Sequence, residues 1–231
     1  MLKKGFTTFY TAIFPFVLLM TAVLLVFQPW FLNFEYTKAD FPADAFGFSP
    51  QERLRHGTDS IRYITNNQPE SFLAGLTTDD EQPLYNEREL SHMKDVKSVY
   101  QSARTVWVGL IITFCVLFLA LKKQDQKYFL RTVFQAGSLA TLIGSAAILA
   151  AVMLAFQPMF TLFHQLFFSE GTWLFYIDDS LIRLFPEKLW IDGFFTVGAL
   201  TEALAIIFLL IGRRIGLPKK HPGDSFNELK Q

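Results

Sequence analysis

The sequence predicts an all-α integral membrane protein, one domain over 1–231 with four transmembrane helices and both termini in the cytoplasm, and three observations predict it. The first is composition: 51% of the 231 residues are hydrophobic and 16% aromatic, with 26 Phe, which is more apolar than suits a chain that must stay dissolved. The second is clustering. Four stretches at about 6–27, 102–121, 137–156 and 194–211 are almost free of charge, and each approaches the roughly 20 residues a helix needs to cross a hydrocarbon core of about 30 Å. Backbone amides cannot go unsatisfied there, so each stretch must be helical and the helices must bundle. The third is the placement of charge. Lys3 and Lys4 precede the first span, Lys122, Lys123, Lys127 and Arg131 lie between the second and third, and Arg213, Arg214, Lys219 and Lys220 follow the fourth. The positive-inside rule makes those segments cytoplasmic. The other two connections lean acidic, with Asp79, Asp80, Glu81, Glu170, Asp178 and Asp179, and are expected outside. The formal net charge is +0, and no nucleic-acid partner is expected.

The first span ends in Gln28-Pro29-Trp30-Phe31 without a small-residue cleavage signal, so it reads as an uncleaved helix, with Trp30 and Tyr36 near the outer interface. The connection that follows, about 33–103, is too long for a turn and is expected to form a mostly helical extracytoplasmic cap. Ser49-Pro50 starts one of its helices, with Ser49 as N-cap and Pro50 at the first helical position. Asn86 starts another, with Glu89 three residues on as its capping-box partner. On that helix Leu90, Met93, Lys97 and Tyr100 share a face, and His92, Val96, Val99 and Ala103 form the adjoining stripe.

The second span carries the single cysteine, Cys115, which excludes an intrachain disulfide and a cysteine metal cluster and is expected to be packing. The third has small residues at four-residue spacing, Ala136, Ala140 and Gly144, then Ala147, Ala151 and Ala155, which predicts a central place in the bundle. The segment 157–192 opens with the aromatic stretch Met159 to Phe168, too short to span and expected to be interfacial or re-entrant. The fourth span contains one carboxylate, Glu202, and the tail over 219–231 reads as a disordered cytoplasmic end.

Four histidines are candidates for chemistry. His221 in the tail and His56 on a polar cap helix are expected to be solvated. His92 and His164 each border a span, one on each outer segment, and could meet. Glu89 and Asp95, three residues either side of His92, could orient its imidazole, although the same spacing also suits an exposed helical histidine. His164 stands among Phe160, Phe163, Phe167 and Phe168 and needs a polar partner or a substrate. A straight helix from Ser102 back to His92 would lift the imidazole roughly 15 Å above the hydrocarbon edge, so a tilt or break near 101–104 is expected if it acts on a lipid ester. No nucleophile elbow, phosphate loop or zinc-protease helix is present, and no cofactor is expected, with a metal held by His92, His164 and a carboxylate as the alternative.

Tyr85-Asn86-Glu87 and the run Glu89-Leu90-Ser91-His92-Met93-Lys94-Asp95-Val96-Lys97 leading into the second span resemble the hallmark of a family of small bacterial four-span proteins. That family includes the lipoprotein intramolecular transacylase. His164 in its aromatic stretch, then Trp173, Leu181-Ile182 and Pro186-Glu187 before the last span, fit the same pattern, and the similarity covers about Lys4 to Arg213. The resemblance implies a membrane acyltransferase of the bacterial plasma membrane, which moves an acyl chain from the diacylglyceryl group of a lipoprotein in the outer leaflet onto the α-amino group of its N-terminal cysteine. It implies catalysis at His92 and His164 without a covalent enzyme intermediate. Glu89, Asp95 and Arg183 are candidate supports, and Trp173, Asp178 and Asp179 candidate substrate contacts. The competing class is a non-enzymatic carrier or sensor that uses Glu202 or the outer cap.

Overall fold

A computed structural model describes residues 2–216, so His221 and the tail over 219–231 lie outside the described residues. Ten α-helices follow one another: α1 (Leu2–Val26), α2 (Pro29–Tyr36), α3 (Pro50–Thr65), α4 (Glu70–Ala74), α5 (Glu87–Ala120), α6 (Lys123–Thr132), α7 (Ser138–Leu154), α8 (Phe156–Phe167), α9 (Ser180–Leu184) and α10 (Glu187–Arg214), with a π-helical turn, Val133–Gly137, fusing α6 to α7. Among the described residues there is no strand, only an isolated bridge between Thr77 and Pro83. Four helical stretches are long and apolar enough to cross a membrane: α1, α5, α6 with α7, and α10. Their apolar side chains face outward along much of their length, as with Ile112, Val116 and Leu119 on α5 and Ile143 and Met153 on α7. That distribution suits hydrocarbon, not water, as the surrounding solvent.

The basic segments gather at one end of the bundle. Lys3 pairs with Asp125 of α6, and Arg131 donates to the Ile215 carbonyl at 3.0 Å. There Tyr10, Phe14, Leu18, Phe129, Val133 and Ala205 pack together. The cap sits at the opposite end, where α2, α3, α4 and the first turns of α5 enclose a second core that includes Phe31, Leu32, Tyr63, Leu73, Met93, Tyr100, Leu181 and Leu184.

The helix starts read from the sequence form as expected. Ser49 Oγ accepts from the Glu52 amide at 3.1 Å, and Asn86 and Glu89 make a reciprocal capping box. Two other readings are corrected. The small-residue stripe of the third span does not face its neighbours: Ala136, Ala140, Gly144 and Ala147 are exposed, and α1, the most buried of the four, occupies the centre. Close approach happens instead at Gly137 against Phe14, Gly198 against Leu149 and Gly212 against Phe134. Cys115 lies exposed on α5 instead of buried in the packing of the bundle. Helix α5 runs unbroken from Glu87 to Ala120, so of the two expected alternatives, tilt or break near 101–104, the break does not occur. Tyr36 turns into the cap, where its hydroxyl donates to the Leu184 carbonyl.

Candidate active site

His92 lies on the second turn of α5, in the charged portion that precedes the apolar part of that helix. His164 lies on α8, which starts directly after α7 because Ala155, with φ −153° and ψ 58°, breaks the helix and redirects the chain. Pro158 stands in the first turn of α8, where a missing N–H is no loss. The two imidazoles come from separate halves of the sequence and meet, their ring centroids 6.0 Å apart and their planes within 20°. Both are buried, each about 8% exposed.

Aromatic rings close the site. Phe168 and Phe175 meet the His92 ring edge-on at 4.9 and 5.3 Å, while Phe160 and Trp173 lie 4.1 and 4.9 Å from the His164 ring. His164 Nδ1 is 2.8 Å from the Phe160 carbonyl oxygen. A carbonyl can only accept, so Nδ1 carries the proton and Nε2 keeps its lone pair. His92 Nδ1 is sealed from solvent without a partner among the described residues.

Desolvation favours the uncharged ring. Burial, and secondarily the nearness of His164, push the His92 imidazole down to about 4. Burial also lowers His164, against the opposing pull of the Phe160 carbonyl. Near neutral pH the site therefore offers two neutral imidazoles in an apolar shell, one with a fixed tautomer. Among the described residues no group of three or more His, Cys, Asp or Glu could hold a metal ion.

The profile of the lipoprotein intramolecular transacylase family, Lit, matches residues 8–190. The chain belongs to the Lit family. By family it is a membrane acyltransferase. An uncharacterized protein of Aquifex aeolicus is 24% identical over 214 residues, covering 91% of this chain and 94% of that one. The in meso structure of the membrane-integral Lit from Bacillus cereus superposes with a TM-score of 0.77 at 20% identity, over 93% of this chain and 95% of that one. A variant of that Bacillus cereus protein with one histidine replaced by arginine superposes with a TM-score of 0.71 at 19% identity, over 100% and 95% of the two chains. The Lit fold is thus the fold of this chain.

The expected supports of this Lit-family site stand elsewhere. Glu89 does not hold the imidazole: its carboxylate accepts from the Asn86 amide at 2.9 Å and from the Leu181 amide at 2.8 Å, and it ties α5 to the start of α9. Asp95 is half-buried and makes no hydrogen bond or ion pair among the described residues. Arg183 forms a two-pronged pair with Asp44, at 3.1 and 3.0 Å, and stacks 3.4 Å over Phe48 in the cap. Asp178 is exposed. Asp179 clamps the roof of the site: it accepts from Arg88 at 3.0 Å, from the Asn86 side chain at 2.9 Å and from the Tyr176 amide at 2.7 Å. Arg88 lies over the Phe175 and Tyr176 rings and went unnoticed in the sequence, because one arginine between Glu87 and Glu89 reads as an ordinary solvated helix start.

His56 is corrected as well. It is buried at 2% exposure, accepts from Arg55 at 3.2 Å and lies 3.8 Å from Glu52. Glu202 faces Ser145 of α7 at 3.5 Å, a polar contact between two spans away from the histidines.

Proposed function

We propose that this chain transfers an acyl chain from the diacylglyceryl group of a lipoprotein to the α-amino group of the same lipoprotein's N-terminal cysteine, giving the lyso form, at an extracytoplasmic site of the bacterial plasma membrane. The observation that carries this reading is the 6.0 Å meeting of His92 and His164 from separate segments at the charged end of a four-helix membrane bundle. Lysines and arginines at the opposite end favour an orientation with both termini inside and the cap, 33–103, and the segment 157–192 outside.

The reaction asks for little beyond a base and a dry, shaped site. An N-terminal ammonium near pKa 8 gives up its proton to a modest base. Ester and amine belong to one molecule, so the substrate supplies their proximity, and no Ser or Cys nucleophile is required. Once the ammonium has lost its ionising proton to solvent, His164, whose Nδ1–H is committed to the Phe160 carbonyl, takes at Nε2 the proton released as the neutral amine attacks and returns it to the departing glycerol oxygen. His92, held neutral more strongly than His164, serves as a hydrogen-bond partner of that oxygen. The apolar shell of Phe160, Phe168 and Phe175 excludes the water that would hydrolyse the ester instead.

Mass spectrometry of N-terminal lipopeptides, from a host that lacks other such activity and expresses this chain, tests the reading. The wild type should produce the lyso form, and His92→Ala or His164→Ala should each reduce it by at least two orders of magnitude, the usual worth of acid–base catalysis. A fully active His92→Ala variant would end it.

A further inference from the structure

Three of the four tryptophans satisfy their indole N–H in the ordinary way: Trp30 donates to the Leu25 carbonyl at 2.7 Å, Trp190 to the Phe185 carbonyl at 2.9 Å, and Trp107 to the Val17 carbonyl and the Thr21 hydroxyl at 3.2 Å each. Trp173 does not. Its Nε1 is sealed from solvent and has no partner among the described residues. An indole N–H can only donate, and a buried donor left unpaired is rare enough in folded proteins to call for an explanation.

Its surroundings point to one. The turn at Ser169–Thr172, with Gly171 at φ +82°, brings the chain back so that the Trp173 ring lies 4.9 Å from the His164 ring. Trp173 also lines a half-open cavity of about 480 Å³ together with Gln165, Phe168, Glu170, Gly171 and Leu174. The indole therefore stands between a cavity and the base. Of the other donors, His164 Nδ1–H is engaged with the Phe160 carbonyl and the Arg88 guanidinium with Asp179, while the His92 N–H is assigned to the departing glycerol oxygen.

Acyl transfer builds negative charge on one atom that neither histidine covers, the carbonyl oxygen of the ester. We propose that Trp173 is a further catalytic residue, whose Nε1–H donates to this oxyanion in the tetrahedral intermediate. The inference rests on the transacylase reading above. In the step, the neutral amine attacks the carbonyl carbon, a C–N bond forms, and the carbonyl π pair moves to oxygen, where Trp173 meets it. His164 Nε2 takes one amine proton. Collapse restores C=O, breaks the ester C–O bond and delivers that proton to the glycerol oxygen, so atoms and charge balance within one substrate. A donor of this kind, preorganised in a dry site, acts on the transition state more than on the bound ester.

The test is the rate of lyso-lipopeptide formation by the full chain reconstituted in phospholipid vesicles with a synthetic diacylated lipopeptide. Trp173→Phe keeps an aromatic ring against His164 and removes the N–H. It should lower kcat by roughly 10²-fold, the usual worth of one oxyanion donor, with KM changed by less than about threefold. Wild-type kcat, or a loss confined to KM, overturns the proposal. An inactive wild type overturns the transacylase reading instead, so the two failures are distinguishable. Should Trp173→Phe not fold, 3-benzothienylalanine placed at residue 173 replaces N–H by sulfur at nearly the same shape and carries the same expectation. Misfolding of this isostere also overturns the proposal, because the fold would then depend on the N–H in the absence of substrate.

Discussion

An imidazole that burial holds neutral works as a base only at pH values above its own pKa, so the depressed pair fixes the acid side of the activity profile. Both rings titrate below the ordinary 6.5, His92 at about 4. Below the substrate amine's pKa near 8 the rate should fall about tenfold per pH unit as neutral amine is lost, and the further downturn from protonating an imidazole should come only below pH 6.5, as measured by lyso-lipopeptide formation across a buffer series. A further downturn centred at 6.5 would show solvated histidines. Stability follows the same sign. A ring whose folded pKa is depressed contributes stability that is complete above its unfolded pKa of 6.5 and is lost as pH falls toward about 4. These two residues were legible because each borders a span and each lies in an otherwise uncharged setting. His56 was not. It shares the inward stripe of α3 with Ser60, Tyr63 and Ile64, and Ser60 Oγ hydrogen-bonds the Tyr85 hydroxyl at 2.5 Å. A polar letter on a polar helix says nothing about partners that arrive from elsewhere in the chain.

Single helices were legible in kind, because length, apolar content and caps are local properties. How they pack was less so. Small residues at four-residue spacing permit close approach but do not compel it, and on α7 the exposed stripe meets no neighbour. Close approach falls on single glycines instead. A Cβ added at Gly137 would stand 2.7 Å from the Cβ of Phe14, which cannot retreat without moving α1, whereas one added at Gly144 would meet nothing within 4 Å. Gly137→Ala should therefore destabilise the bundle by about 1–3 kcal/mol, the range of overpacked cores, and Gly144→Ala should leave it within about 0.5 kcal/mol. Thermal unfolding of the two variants in detergent checks this, and equal midpoints would restore the stripe as the packing face.

At the scale of the whole molecule, the question is what holds two segments distant in sequence in register at one site. The turn that begins α9 is the fixed point. Its backbone is gripped by cap side chains: the Arg183 carbonyl accepts from Arg53 at 3.1 and 2.7 Å, the Leu184 carbonyl accepts from Tyr36, and the Leu181 amide donates to Glu89. Because Asp179 also reaches Arg88 and Asn86, the segment carrying Phe175 and Trp173 is fastened over the helix that carries His92. None of this could be read from spacing, since every one of these contacts spans 90 residues or more of chain. Glu89 decides between a local and a global role for this machinery. Its two oxygens face two backbone N–H donors, so Glu89→Gln turns an amide NH₂ toward one of them and leaves a buried donor unmet. The expected loss is about 1–3 kcal/mol of stability, with the rate falling in parallel and the acid limb of the pH profile unmoved. Were Glu89 instead the carboxylate that orients His92, the same substitution would spare thermal stability and shift that limb, and unfolding measured beside a pH–rate series separates the two.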